Sequence, residues 1–290
     1  MNGIIQKIEE FIQGILQGWV RSNLSAMFTD VNEKTESIAA QVSLTPSTWN
    51  SSIFFMIQTL SEDVILPIAG LIITYVLCYE LISMVMEKNN LHDFDTSLFF
   101  RYLLKAALAV FLLSNTFSIT MAVFDVGSHV ITAAGNSIHG STAIEIEAAF
   151  HTLLENQISS MGIGELIGLG METMVMSLCM KILSVLITVI LYGRMIEIYL
   201  YISVAPIPFA TWTNREWGSL GNHYFRGLFA LAFQGFFMMV CVAIYAVLIS
   251  NLTIAANLHT ALWSTAAYTV ILCFSLFKTG SFAKAIFHAS

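Results

Sequence analysis

Residues 64–86, with the sequence VILPIAGLIITYVLCYELISMVM, form an apolar run that contains a single charged side chain, Glu80. At about 1.5 Å per residue, a helix of this length crosses the hydrocarbon core of a bilayer, which is about 30 Å thick. Further apolar runs lie at about 102–124, 173–193, 196–212, 227–250 and 260–278. Hydrophobic residues make up 57% of the chain and charged residues only 11%, which is too apolar for a soluble fold. We therefore predict an all-α, polytopic transmembrane helical bundle.

The placement of basic residues predicts the topology, because Lys and Arg are retained on the cytoplasmic side of a membrane. The loop after the first run and the adjoining end of the second are assigned inside by Lys88, Arg101 and Lys105. Residues 106–180 contain no Lys or Arg and are predicted to face outward. If residues 173–212 cross the membrane only once, the basic residues that follow lie inside, as the rule requires; they are Arg215, Arg226, Lys278 and Lys284. If 196–212 forms a separate crossing, the same four residues lie outside. We therefore favour five crossings over six in the cytoplasmic (inner) membrane, with the N-terminus outside and the C-terminus in the cytoplasm.

Four regions follow from this scheme. Residues 1–61 are predicted to form an extracytoplasmic or interfacial region, with an amphipathic helix and a polar connector at 37–61. Apolar residues at helical spacing give that helix a stripe that lies in the membrane interface or packs on a partner subunit. Residues 62–124 hold the first two transmembrane helices, and 125–172 form a large central extracytoplasmic loop with an amphipathic helix at 144–161. Residues 173–290 form a C-terminal transmembrane bundle with a proline-broken segment and a cytoplasmic tail.

The residue patterns of common catalytic and metal sites are missing from this sequence. It contains no HExxH or GxSxG motif, and its four cysteines are dispersed without a CxxC pair. The glycine-rich stretch GIGELIGLG at 162–170 lacks the GK[ST] ending of a phosphate-binding loop. We therefore predict a protein that is not an enzyme and that has no cofactor, no metal and no catalytic residues.

Polar side chains inside the apolar runs are candidates for a pore or an ion-coupled pathway, because a charge in lipid is costly. The candidates are Glu80, Lys181 and Gln234. The alternative is structural: Lys181 extends its ammonium group toward the membrane surface, or such residues form stabilising pairs, as Arg194 and Glu197 could at i, i+3 spacing.

The stretch APIPFATWTNREWG at 205–218 stands between two apolar runs. Pro206 and Pro208 lack backbone donors, so this segment is predicted to be a joint rather than a regular crossing. The amphipathic rings of Trp212 and Trp217 are suited to the level of the lipid headgroups. Arg215 and Arg226 could bind anionic lipid or an acidic surface of a partner protein. A simple positive-inside anchor with an aromatic belt is the alternative.

Residues 203–248 resemble the TrbL-type polytopic subunit of type IV secretion systems, in the version carried by conjugative elements of Gram-positive bacteria. The matching features are the APIP turn at 205–208, the cluster at 215–218, Gly221 and the AFQG segment at 232–235. The resemblance implies a non-catalytic inner-membrane channel or scaffold subunit beside the secretion ATPase, oligomeric with its neighbours, with single-stranded DNA attached to a relaxase as the transferred substrate. The residues expected to dock a partner or lipid are Pro206, Pro208, Arg215, Glu216, Trp217, Gly218, Gly221 and Arg226.

A small-molecule secondary transporter is the alternative function, with a midplane site formed by the proline-broken segment and Lys181. Transporters of this kind usually contain internal repeats. Residues 64–124 and 227–278 show no convincing similarity to each other, which makes this alternative the weaker one.

Overall fold

The computed structural model describes residues 2–86, 96–139, 157–214, 216–250 and 258–289, and all of the regular structure in these ranges is helical. This confirms the predicted all-α class. The helices are α1 (Asn2–Ser43), α2 (Pro46–Trp49), α3 (Ser51–Thr59), a π-helical turn (Leu60–Ile65), α4 (Leu66–Met86), α5 (Thr96–Ser114), α6 (Thr116–His139), α7 (Ile163–Val204), α8 (Pro206–Trp212), α9 (Gly218–Ser250) and α10 (Leu258–Phe287).

Six helical segments in the described ranges are long and apolar enough to cross a membrane. They are Ser51–Met86, Ser97–Ser114, Thr116–Ser137, Ile163–Val204, Gly218–Ser250 and Leu258–Phe287. The chain is thus a multi-pass membrane protein.

Helices α5 and α6 follow one another in the same direction and do not form a hairpin. Helical hydrogen bonds continue on both sides of Asn115, whose N–H donates to Phe111 O (3.2 Å) and whose C=O accepts from the N–H of Ile119 (2.9 Å). The Thr116 hydroxyl donates to the Leu112 carbonyl, as side chains at helix bends do. Reversal of a helical chain needs a loop of about 2–5 residues. Two of the six segments, in α5 and α6, are therefore joined without a reversal of direction, and the predicted second run at 102–124 is divided between these two helices.

The two apolar runs at 173–193 and 196–212 are not separate crossings. Helix α7 continues without a break from Ile163 to Val204, and α8 contains only seven residues. At about 1.5 Å per residue, α8 is far too short to cross a bilayer. The prediction that proline reduces these two runs to one crossing therefore agrees with the helices observed.

Two predicted non-membrane regions are more helical than expected. The first candidate span begins at Ser51, inside the predicted connector, and α1 runs on to Ser43. Helix α6 extends to His139, well into the predicted central loop. Most of the predicted amphipathic helix at 144–161 lies outside the described residues; of its positions, 157–160 are helical.

The chain divides into two compact units. The first contains residues 1–42, 132–191 and 236–279. In it, α1 packs along the beginning of α7: Gln13 Nε2 donates to the Met161 carbonyl (2.7 Å), and the ring of Trp19 lies against Gly170. A Cβ at Gly170 would overlap the ring of Trp19, so any larger residue here would have to displace that ring.

The buried face of α1 differs from its predicted apolar stripe. The side chains of Val20, Leu24 and Met27 are almost fully buried, together with Ile38 and Val42 further along the helix. The residues of the predicted stripe that remain exposed are Ile4, Ile5, Ile8, Phe11, Ile12, Ile15 and Trp19. The predicted stripe was assigned to the membrane interface or to a partner subunit, and its exposure among the described residues is compatible with either role.

The second unit contains residues 43–131, 192–235 and 280–290. Its apolar core joins α4, α5, α6, α8 and the adjoining parts of α7 and α9, with Phe209 of α8 fully buried. The π-helical turn lies directly before Pro67, where the wide turn accommodates a residue that has no N–H to donate. The Tyr199 hydroxyl donates to the Pro46 carbonyl (2.7 Å) and so fixes α2 to α7.

Candidate functional site

The joint between α7 and α9, residues 205–221, lies wholly within the second unit. Helix α7 ends just before Pro206, because a proline has no N–H to continue the helical hydrogen bonds; Ala205 itself keeps helical backbone angles (φ −48°, ψ −40°). Pro206 then opens α8, and the N–H of Phe209 donates to the Ala205 carbonyl (3.3 Å). Pro206, Pro208 and Phe209 are all buried, so the joint is a packed element and not a loose loop.

Two glycines allow α9 to pass close to α8. A Cβ at Gly221 would lie 2.7 Å from Trp212 Cβ and 2.9 Å from Pro208 O. A Cβ at Gly218 would lie 2.9 Å from Trp212 O. Real Cβ atoms do not make such short contacts, so both positions require glycine for a packing reason.

Hydrogen bonds and ring contacts fix the polar end of the joint. Trp212 Nε1 donates to Asn222 Oδ1 (2.9 Å), and the Trp212 ring lies 4.1 Å from that of Phe225, centroid to centroid. Asn214 Oδ1 accepts from the backbone N–H groups of Glu216 (2.8 Å) and Trp217 (3.0 Å). These bonds hold the backbone before α9 in one conformation, while the side chains of Glu216, Trp217 and Arg226 remain exposed. Arg215 lies outside the described residues.

A cavity of about 500 Å³ lies beside the joint, between the end of α4 and the start of α5. Its polar lining consists of Tyr79, Glu80, Ser83, Arg101, Tyr102, Lys105, Asn214 and Glu216. Glu80 and Lys105 form an ion pair. The Tyr79 hydroxyl donates to Glu216 Oε1 (3.3 Å), and the Tyr102 hydroxyl donates to the Leu77 carbonyl (3.1 Å).

This cavity supports the five-pass arrangement. It brings Arg101 and Lys105, which follow the first span, together with Asn214 and Glu216, which follow α8. Further along the same unit, a Cβ at Gly127 of α6 would lie 3.0 Å from Ala232 O of α9, so these two helices are in close contact there. The six-crossing scheme would have placed positions 101 and 216 on opposite sides of the membrane.

The other predicted pore candidates have different surroundings. Lys181 lies on the exposed face of α7 and does not face the interior of its unit. Gln234 is 6% exposed, with its Nε2 close to Gly280. Glu197 pairs with Lys284 (2.7 Å).

Sequence reasoning missed the cavity itself. It singled out Glu80 and Glu216 for unrelated reasons and did not consider Tyr79, Tyr102 or Asn214. The loop between the first two spans predicts that positions near 80 and 105 are neighbours, but no pattern connects them with residue 216. Within the described ranges, no group of three His, Cys, Asp or Glu side chains could hold a metal ion.

Comparison with known proteins gives one match, to the family model described as TrbL/VirB6 plasmid conjugal transfer like protein, over residues 31–206. No curated protein and no solved structure matches the chain. The predicted family is confirmed, but the stretch on which the sequence resemblance rests, 203–248, shares only its first four positions with the matched region. The match gives no support to a transporter. Because it covers more than half of the 290 residues, the chain belongs to the TrbL/VirB6 plasmid conjugal transfer like family, which comprises structural subunits of type IV secretion and conjugal transfer systems.

Proposed function

We propose that this protein is a channel or scaffold subunit of a type IV secretion system and takes part in conjugative DNA transfer across the cytoplasmic membrane. Its proposed partners are the secretion ATPase, other secretion subunits, further copies of itself and membrane lipids. Single-stranded DNA bound to a relaxase would be the transferred substrate, in transient contact at most. The N-terminus lies outside in this proposal, and the joint and the C-terminus face the cytoplasm.

The observation that carries the proposal is the construction of the joint. A rigid, buried support of Pro206, Pro208 and Phe209 presents an exposed tryptophan and an exposed arginine at one end of the bundle. Trp217 is 49% exposed although the neighbouring backbone is held by two hydrogen bonds. Tryptophan and arginine are the residues most enriched at the centres of protein interfaces. The joint is therefore suited to docking a protein such as the ATPase.

The length of α7 supports contact with other membrane subunits. Exposed apolar side chains occur along this helix from Ile167 to Val204. This face is about 56 Å long at 1.5 Å per residue, and it still covers about 53 Å along the membrane normal at a tilt of about 20°. A bilayer with its headgroups is only about 40–45 Å thick. At this mean tilt, part of the apolar face extends beyond the bilayer and would be covered by protein, which fits an oligomer or a complex with neighbouring subunits.

Two variants test docking at the joint: Trp217→Ala and Arg226→Glu, each expressed in a strain from which the native gene is deleted. We expect both proteins to insert in normal amount, to lose co-purification with the secretion ATPase, and to lower conjugation frequency at least about tenfold, as loss of one interface hot spot does. Lys7→Glu is the matched control, because it reverses an exposed charge that is not part of the joint.

Normal co-purification of both joint variants would contradict docking at this surface. Conjugation that is unaffected by deletion of the gene would contradict the proposed function as a whole. Solute accumulation in vesicles that contain only this protein would instead support the transporter alternative.

A further inference from the structure

The cavity beside the joint is lined by two charged groups, Arg101 and Glu216, that are separate from the proposed docking residues Trp217 and Arg226. Lys105 and Glu80 neutralise each other in their ion pair. Arg101 lines the same cavity without an ion-pair partner among the described residues, and Glu216 accepts a hydrogen bond from the Tyr79 hydroxyl but has no cationic partner there. The guanidinium of Arg101 and the carboxylate of Glu216 therefore line the same cavity without forming an ion pair with each other.

The outer faces of α4 and α5 beside this cavity are apolar and exposed. Ile82 of α4 is 57% exposed, and Leu103 and Leu104 of α5 are 48% and 55% exposed. In a membrane protein, such faces lie against acyl chains, because the hydrocarbon region offers no polar partner. A ligand that fits both features has a zwitterionic head in the cavity and apolar chains along the two helices.

We propose that the cavity binds the headgroup of a zwitterionic phospholipid with a primary ammonium group, namely phosphatidylethanolamine. The guanidinium of Arg101 presents paired N–H donors that match the oxygens of a phosphate. The carboxylate of Glu216 accepts from the ammonium, with the Tyr79 hydroxyl as a second polar neighbour. The volume of about 500 Å³ lies within the usual range of about 300–1,000 Å³ for ligand pockets.

The same two residues explain why other headgroups bind less well. A choline headgroup has no N–H, so it cannot donate a hydrogen bond to Glu216. A glycerol headgroup brings a phosphate without a compensating cation, which leaves the Glu216 carboxylate unpaired beside an anion. The preference for ethanolamine therefore depends on Glu216, whereas binding of any phosphate depends on Arg101.

The full-length protein purified from nanodiscs that contain equal amounts of the ethanolamine, choline and glycerol lipids tests this assignment, with retained lipid counted by native mass spectrometry. We expect retention of the ethanolamine lipid about tenfold above the other two, the effect of one charge-assisted hydrogen bond. Glu216→Gln should abolish the preference over the glycerol lipid, and Arg101→Gln should lower retention of all three. Asp63→Asn, at an exposed carboxylate outside the cavity, should change neither.

Equal retention of the three lipids by the native protein would overturn the proposal, and this comparison depends on no variant. Retained preference in Glu216→Gln would also overturn it. Soluble glycerophosphoethanolamine that displaces the lipid at equal concentration would show a soluble zwitterion as the ligand, against the lipid assignment. Because lipid retention is measured on this chain alone, its outcome is independent of docking through Trp217 and Arg226.

Discussion

Substitution of Gly221 by alanine tests how closely α8 and α9 pack in the joint. The new Cβ would lie 2.7 Å from Trp212 Cβ and 2.9 Å from the backbone oxygen of Pro208. Carbon atoms in ordinary contact are about 3.5–4.0 Å apart, so α8 must move by roughly 0.8 Å. The obstructing atoms are backbone and Cβ atoms of a buried helix, which no side-chain rotation can displace.

The expected loss of stability follows from two opposing effects. Forcing an extra methyl group into a packed site costs about 1–3 kcal/mol, and we take the upper part of this range, about 2–3 kcal/mol, because no side-chain rotation relieves the contact. Replacing glycine by alanine within a helix recovers up to about 1 kcal/mol. The net loss of about 1–2 kcal/mol corresponds to a fall of about 2–8 °C in the apparent Tm, with the slope known for domains of 150–250 residues.

Gly193→Ala provides the matched control, because this helical glycine of α7 has no atom within 4 Å of its Cβ position. Both variants would be purified in the same detergent and heated, and the monodisperse fraction would be measured by size-exclusion chromatography. We expect Gly221→Ala to lose this fraction at a lower temperature and Gly193→Ala to match or exceed the native protein. Equal Tm values for the two variants would refute the close packing of α8 on α9.

Three further predictions concern other parts of the chain. Lys105→Met leaves Glu80 without its partner and should lower the apparent Tm, with partial recovery when Glu80→Gln is added, as a double-mutant cycle by thermal unfolding would show. Gly170→Ala should displace the ring of Trp19 and increase protease cleavage within α1, whereas unchanged proteolysis would count against this contact. A reporter fused after residue 220 should lie on the opposite side of the membrane from an N-terminal reporter, and the same side for both would disprove five passes.

The class of the fold was predictable because it depends on composition and on the lengths of the apolar runs. The end of α7 was predictable too, because the chemistry of proline acts locally. The divided second span was not: the polar run Ser114-Asn115-Thr116 interrupts the apolar pattern, but such side chains also occur within membrane helices that continue without a bend. Helix boundaries in polar stretches were missed for a similar reason, since tertiary packing and not local hydrophobicity extends α1 to Ser43.

The candidate site was predictable only in parts. Glu80 and Lys105 are 25 residues apart on either side of one loop, so a hairpin of spans makes their pairing foreseeable. Glu197 and Lys284 are separated by 87 residues, and their pairing depends on which helices are neighbours, which one sequence does not reveal. The same limit applies to the cavity, because Glu216 reaches Tyr79 only through the packing of the joint.

The two prolines of the joint have a different physical role from the one that the sequence suggested. Proline at a helix interior removes a needed donor, but the first three N–H groups of a helix have no partner within it. Pro206 and Pro208 occupy the first and third positions of α8, and both are buried. A residue other than proline at either position would bury a backbone N–H that has no acceptor within the helix. The first N–H of α8 that has such an acceptor is that of Phe209, which donates to the Ala205 carbonyl. The prolines thus end α7, and they also allow a seven-residue helix to begin inside the protein, where an unsatisfied N–H would cost about 1–3 kcal/mol.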